Sequence, residues 1–471
     1  MTEGNFYMHK KILKQWKEKK KWPQRITHLA LSNLRGWDGQ TLIFKYPVTA
    51  IVGENGSGKT TILQALRSIY SCGNIYPSTF FPATPWDNIT NVKIKGRIVR
   101  GDSVLTVTVK KITERWRGLD KRLERHVDFF DLSRVLPYSS RTSYRKLTKQ
   151  GLRKGTKTPL PSAGVSIIQR TLDRDYEQCS LESAQGVSRC PVGTVTLQDK
   201  EYSGFHLGTA ESSLIEFFKT DFPKYSLLLI DEAEVALHPK AQRKFIQELI
   251  DLARSKEIQI ILTTHSEFIL AELPKEGRIY IDAEKNVIPE VSPEFALSKM
   301  DSVRHPELSI YVEDDFAEIL VKEMLRVERP DLLDKLNFQI FGGAEAGKAI
   351  SKLLQRKPTP IPKGVVVLDG DQDISDDYCV LPGGKAPEKV IFKQIKDCTA
   401  AIDLLSERLK ESSLKKIMTS VSKEKDHHVW FGELALKLNR SEEYIMGLFA
   451  EVWAEHCVDQ DDRCTLVDAV N

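Results

Sequence analysis

Residues Gly53-Glu54-Asn55-Gly56-Ser57-Gly58-Lys59-Thr60 match the pattern G-x-x-x-x-G-K-[ST]. In such a loop the glycines let backbone N–H groups curl around phosphates, the lysine reaches the β and γ oxygens, and the hydroxyl ligates Mg²⁺. Asn55, Gly56, Gly58, Lys59, Thr60 and Thr61 are therefore the expected nucleotide contacts, with Thr60 a metal ligand. Further on, Leu227-Leu228-Leu229-Ile230-Asp231-Glu232 is an apolar run ending in two carboxylates. Asp231, at the tip of a buried strand, would hold Mg²⁺ through water, and Glu232 would polarise the attacking water. The run Ile260 to Ser266 brings His265 to the end of another strand, within reach of a γ-phosphate. A lone histidine there is more often structural; its order and spacing after the other motifs favour the functional role.

A second acidic constellation lies downstream. Glu313 ends the apolar run LSIYV, and Asp369, Asp371 and Asp373 follow the run GVVVL. Alternate residues of an extended chain point the same way, so Asp369 and Asp371 project together, and a carboxylate from a neighbouring strand tip completes an oxygen cage. Gathering this much like charge is unfavourable unless a divalent cation neutralises it. Mg²⁺, or Mn²⁺, is the expected occupant. Asp376 and Asp377 read as a solvated acidic turn. Lys385 and Lys425 follow, and His427 and His428 read at least equally well as a solvated helix cap.

The elements around these residues alternate. Strands at 225–232 and 258–264 enclose an amphipathic helix at 239–255, and a helix over 61–70 follows the phosphate loop. Apolar strands alternating with helices indicate a parallel sheet covered on both faces. A Pro-containing linker near 289–306 leads to a second such unit, with strands at 308–313, 337–341 and 364–369 and helices at 315–327 and 345–356. Residues 388–456 read as helical. Residues 1–22 hold seven lysines between Lys10 and Lys21 with Ile12, Leu13 and Trp16 interleaved, a pattern read as a solvated helix with one small apolar face. The stretch 110–200 is poorly periodic, and Lys110 to Lys157 carries 15 Lys/Arg against 5 Asp/Glu, with Trp116, Phe129, Phe130, Tyr138 and Tyr144 among them. Polyanion contact is the expectation for this stretch.

The 471 residues have a net charge of only +4, but residues 1–300 hold 46 basic and 33 acidic side chains and residues 301–471 hold 23 and 32, so +13 and −9 sum to +4. The two parts are expected to do different work. No apolar run approaches the roughly 18 residues of a membrane span and no signal-peptide core opens the chain, so a cytoplasmic protein is expected. Seven cysteines without a C-x-x-C pair fit reduced thiols better than a disulfide framework or a zinc site.

SNLRGW at 32–37, the phosphate loop, DEAEVALHP at 231–239 and TTHS at 263–266 resemble the ATPase heads of the ABC superfamily, particularly SMC, RecF and OLD (overcoming lysogenization defect) proteins. That resemblance implies two heads sandwiching ATP, each phosphate loop facing the other chain's signature motif. The matching segment is Leu207 to Ser213, with Gly208 and Glu211 as nucleotide contacts, although Gly208 and Ala210 stand where Ser and Gly are usual. No Q-loop glutamine stands out. Glu313 followed by the D-x-D of Asp369 and Asp371 resembles a TOPRIM domain, and an ABC-type head followed by TOPRIM is the OLD architecture. Asp314 and Ala317 depart from the usual glycine and acid, leaving Asp315 or Glu318 to substitute. VEDDFAEIL and LPGGKAPEKVIF look most like compact OLD relatives found with retrons and Septu-type systems.

The fold class expected is α/β. An ABC-type P-loop ATPase domain spans 26–300, with a basic N-terminal extension at 1–25, a strand-rich N-terminal part and an insertion at about 110–200. A Rossmann-like TOPRIM domain at 301–387 and a helical region at 388–471 follow. The resemblance implies an ATP-hydrolysing, Mg²⁺-dependent DNA endonuclease in anti-phage defence, with Glu232, His265, Glu313, Asp369 and Asp371 catalytic. It would work as a homodimer through its ATPase heads or a larger assembly, acting on DNA. The alternative is an ATPase sensor with a degenerate TOPRIM that controls a partner nuclease, and a retron reverse transcriptase with its RNA–DNA product is a further expected partner. A repair ATPase of the RecF/SMC type lacks the long heptad arm it would need.

Overall fold

The computed structural model describes residues 3–18, 21–84, 86, 89–131, 154–185, 187–303, 305–356 and 363–470. The chain divides into two compact units, Met1–Val303 and Arg304–Asn471. Among the described residues no helix is long and apolar enough to cross a membrane.

The first unit is organised by a six-stranded sheet in the order Val287–Pro289, Arg278–Ile281, Val48–Gly53, Gln259–Thr264, Leu227–Asp231, Val127–Asp131. All neighbours pair in parallel except Val287–Pro289, which is antiparallel. The three central strands are buried along their whole length, so their near-continuous apolar text follows from burial on both faces. Successive residues feed different cores: Ala50, Val52, Leu228, Ile230, Ile260 and Leu262 pack on one side. Ile51, Leu227, Leu229 and Ile261 pack on the other. The helix Pro239–Lys256 covers the first face through Phe245, Ile246, Leu249 and Ile250. The helix Lys59–Ile69 covers the second, where Ile62, Leu63, Leu66 and Ile69 lie between the parallel sheet and a five-stranded antiparallel sheet that includes Gln24–Leu34 and Val92–Arg100. Gly96 permits that approach, since a Cβ there would stand 2.7 Å from Ile69 Cδ1.

One side chain ties the two sheets together. Gln259, fully buried, accepts from the Ile26 N–H (2.9 Å) and donates to the Ile26 carbonyl (2.9 Å), and its Oε1 also accepts from Arg125 (3.3 Å). Arg125 further donates to the Tyr225 and Ser226 carbonyls, and Arg122 to those of Leu119, Tyr70 and Ile75. Two cations of the basic stretch are thus structural. Arg115, Arg117 and Lys121 are exposed, while Tyr138, Tyr144 and the rest of 132–153 lie outside the described residues.

The N-terminal helix Glu3–Lys17 has the expected single apolar face: Ile12 and Trp16 enter the core with Trp22, whose indole donates to the Ile258 carbonyl at 3.0 Å, while Lys10, Lys11, Lys14 and Lys17 are exposed. One local expectation is corrected. The stretch 110–200 is not an irregular insertion. It holds the helix Ser162–Leu172, a four-stranded antiparallel sheet (Lys154–Pro159, Gln178–Ala184, Val187–Leu197, Lys200–Ser203) and Val127–Asp131, the outer strand of the central sheet. Its periodicity is weak because Val127–Asp131 is only partly buried and Lys154–Pro159 is exposed throughout.

The second unit has four parallel strands in the order Leu336–Ile340, Leu308–Val312, Gly364–Leu368, Cys379–Val380. Ile310, Val312 and Val367 share one core with the helix Asp315–Glu328 and with Phe392, Phe431, Phe449 and Trp453 of the C-terminal helices. Tyr311, Val366 and Leu368 face the other way, against Phe341, Ile350 and Leu354. The helical region is therefore the cover of one sheet face. Replacing Gln259 by leucine should strand Ile26's buried peptide groups and lower the stability of the first unit by about 3 kcal/mol or more. The measurement is its thermal unfolding midpoint by circular dichroism; an unchanged midpoint would contradict the bridging role.

Candidate functional site

The phosphate loop leaves its strand where backbone space is smallest. A Cβ on Gly53 would stand 2.0 Å from the Ile281 carbonyl oxygen, and Gly58 has φ +90 with a would-be Cβ 2.6 Å from Trp37 Nε1. Only glycine fits either place. Lys59 Nζ donates to the Gly53 (2.8 Å) and Glu54 (2.9 Å) carbonyls, and Lys285 reaches the Gly56 carbonyl at 2.7 Å. Burial pushes the Lys59 amine down to about 8, against the opposing pull of Glu234, Asp231 and Glu232. A phosphate beside it would relieve that desolvation.

A cleft of about 330 Å³ is lined by Asn55, Gly56, Gly58, Lys59, Thr60 and Thr61, facing Asp231, Glu232, Thr263 and His265. The parallel register of Leu227–Asp231 with Gln259–Thr264 brings their tips together. There the Thr263 hydroxyl donates to Asp231 Oδ1 (2.5 Å) and accepts from the Glu232 N–H (2.9 Å). Glu232 adopts φ +53, which turns the chain sharply at the strand's end. Burial, reinforced by Asp231 and Glu234, holds the Glu232 carboxyl above its ordinary range. Burial, then Lys59, lowers the His265 imidazole, and the backbone N–H of His265 donates to Glu234 Oε1 at 2.8 Å. Backbone donors, one amine, three threonine hydroxyls and two acids in a cleft of this size fit a nucleoside triphosphate. Thr60 and Asp231 are placed to hold Mg²⁺, which would supply charge neutralisation, and Glu232 and His265 are placed for the water and the terminal phosphate.

Gly208 and Glu211 do not line this cleft. Glu211 is 8% exposed, accepts from the Gly208 N–H (2.8 Å), Arg174 (2.8 Å) and the Tyr176 hydroxyl, and closes the start of the helix Thr209–Phe217. The sequence reading missed Arg35, Glu234 and Lys285. Arg35 lines the cleft, bound to Gln64 Oε1 (3.0 Å) and the Phe80 carbonyl (3.1 Å), and sits over the Phe81 ring. Its place within SNLRGW was the available signal.

In the second unit the pairing of Val312 with Val367 brings Glu313 and Asp369 to one sheet edge. Glu313 Oε1 accepts from the Asp369 N–H at 3.1 Å. Burial, then Glu313, Asp314, Glu388 and Asp371, pushes the Asp369 carboxyl up to about 8. Its Oδ1 is buried without a hydrogen-bond partner. An orphaned carboxylate oxygen among like charges fits a divalent cation, with Glu313, Asp369 and Asp371 the residues to hold it. Gly370 makes the D-x-D turn possible, because a Cβ there would meet the Leu381 and Lys385 carbonyls at 2.7 Å. Asp373 is exposed on the turn beyond and is absent from the groups acting on Asp369. Asp314 caps the helix Asp315–Glu328; of the two acids expected to substitute at this site, Asp315 is exposed in the first turn of that helix and Glu318 pairs with Lys322. Glu388 was overlooked because it reaches the cluster from a helix 75 residues past Glu313.

Two outcomes are expected. Thr263→Val keeps the shape but removes the hydroxyl shared by Asp231 and Glu232, so ATP hydrolysis should fall about 10- to 100-fold with nucleotide affinity preserved, as phosphate release and equilibrium binding would show. For Asp369, a folded value above the ordinary 3.8 means that its stabilising contribution is full below pH about 4 and lost as pH rises through about 8. The second unit of the metal-free protein should therefore weaken as pH rises from about 4 to about 8. Asp369→Asn should flatten that slope in thermal unfolding; an equal slope in the variant counts against it.

A family model described as AAA ATPase domain matches residues 205–270. An OLD nuclease of Thermus scotoductus (strain ATCC 700910 / SA-01) is 26% identical over 339 residues, 55% of this chain and 63% of the relative, so the chain spans less than two thirds of that protein. Among solved structures, an SMC head domain from Thermotoga maritima overlaps 56% of this chain and 98% of its own at 13% identity and a TM-score of 0.34. The cbiO1 protein from Clostridium perfringens, part of the ABC transporter complex cbiONQ, covers 66% and 97% at 15% identity and a TM-score of 0.29. Superpositions this loose carry no weight beside the strand order. By its family match, its curated relative and its phosphate-loop motifs, the chain is similar to the OLD-family ATPases.

Proposed function

We propose that the chain is an ATP-regulated, Mg²⁺-dependent DNA endonuclease whose first unit binds and hydrolyses ATP and whose second is a TOPRIM nuclease. The observation that carries this reading is the buried, unpartnered Asp369 Oδ1 beside Glu313 at a parallel sheet edge. Glu313, Asp369 and Asp371 hold the metal, which activates water and stabilises the leaving oxygen of a phosphodiester; Mn²⁺ would serve in its place. The likeness to an OLD nuclease supports the same chemistry. In this reading the protein is cytoplasmic, dimerises through its ATPase heads with Gly208 and Glu211 of one copy near the other's nucleotide, and acts in anti-phage defence. A retron reverse transcriptase with its RNA–DNA product is the proposed partner.

One observation favours a second reading. Ala317, where OLD proteins usually carry an acid, is 1% exposed in the core, and Glu318 is paired with Lys322. A site short of one acid suits an ATPase that scaffolds a separate nuclease. Incubation of the purified protein with supercoiled plasmid and Mg²⁺ or Mn²⁺, with and without ATP, separates the two. Nicking should fall about 100-fold or more in Asp369→Ala/Asp371→Ala, and Lys59→Ala should abolish the response to ATP. A wild-type protein that never nicks, or a double variant that nicks equally well, rules out the cutting role.

A further inference from the structure

Around Glu388, which also acts on Asp369, the second unit gathers this carboxylate and two imidazoles. Glu388 stands in the first turn of the helix Pro387–Asp397, while His427 and His428 open the short turn His427–Val429. One ligand atom from each lies within 4.8 Å of the others. Asp426 fixes the turn by accepting from the His428 N–H at 3.1 Å, and the two imidazole centroids are 4.1 Å apart. His428 Nδ1 is 3.2 Å from Glu388 Oε1. Ligand atoms about 2.0–2.2 Å from a tetrahedral cation stand roughly 3.3–3.6 Å apart, so Glu388 and His428 are close to ligand spacing already and His427 is within 4.8 Å of both.

A histidine–glutamate hydrogen bond accounts for Oε1 alone. Glu388 is 7% exposed, yet its Oε2 is buried without any partner. A carboxylate so placed should be satisfied on both oxygens. A cation shared with the two imidazoles supplies what is missing. The histidine side is open, His428 being 66% exposed, which leaves room for water or a ligand in a remaining coordination position. Two nitrogens and one oxygen favour a transition metal over Mg²⁺, which takes oxygen ligands.

We propose that Glu388, His427 and His428 form a binding site for one divalent transition-metal cation, Zn²⁺ in chemistry, separate from the strand-tip carboxylates. This goes beyond the nuclease reading and does not rest on it. The test uses the full-length protein, stripped with EDTA and titrated with Co²⁺ as a spectroscopic substitute. Visible absorption should saturate near one equivalent and be displaced by Zn²⁺. It should persist in Asp369→Ala/Asp371→Ala and weaken at least tenfold in His427→Ala/His428→Ala. Both histidines reach the surface, and circular dichroism confirms that the variant is folded; Glu388→Gln, which keeps the side chain's shape, should weaken binding as well. Absence of saturable absorption in the wild type, its survival without the histidines, or its loss with the strand-tip aspartates overturns the proposal.

Discussion

Negative charge held at the carboxyl edge of a parallel sheet is the constraint around which both units are arranged. An apolar strand can be buried on both faces, but a carboxylate at its tip is pulled partly out of water with it. Asp231 and Asp369 are both in this position, one at the end of LLLI and the other after VVVL. Parallel pairing then aligns neighbouring strand ends at the same edge, which is where the second and third polar groups arrive. In the first unit the Thr263 hydroxyl relieves Asp231, whereas in the second an oxygen of Asp369 is left unrelieved. The same architecture thus yields one acid positioned by a neutral donor and one that calls for a cation.

The motifs legible in the sequence are those whose chemistry and backbone demands coincide within a few residues. Gly53 and Gly58 are needed both by the phosphate and by their crowded backbone, so the loop announces itself. Leu227–Asp231 and Gln259–Thr264 read as buried strands because every residue is buried. Glu313 and the aspartates after Leu368 were recognisable because each follows an apolar run.

What the sequence hid was long-range or half-exposed. Val127–Asp131 belongs to the central sheet, but as an outer strand it is apolar only in part, and its pairing with Leu227–Asp231 spans about a hundred residues. Glu388 acts on Asp369 only because a helix returns over the sheet. Within its own chain Glu211 holds a helix start and pairs with Arg174 and Tyr176, contacts between segments some 35 residues apart that its motif does not reveal. The lysines of the N-terminal helix masked how firmly Ile12 and Trp16 anchor it, since charge dominates its composition while only one face meets the core.

Gln259 joins two sheets that, among the described residues, share no backbone rung, its side-chain amide imitating a peptide unit toward Ile26. For a drifting sequence this is a one-letter bottleneck. Asparagine is a methylene too short, glutamate offers no donor, and lysine offers no acceptor. Each route away from glutamine therefore needs a simultaneous change elsewhere, so this one position limits how the two layers of the first unit can diverge.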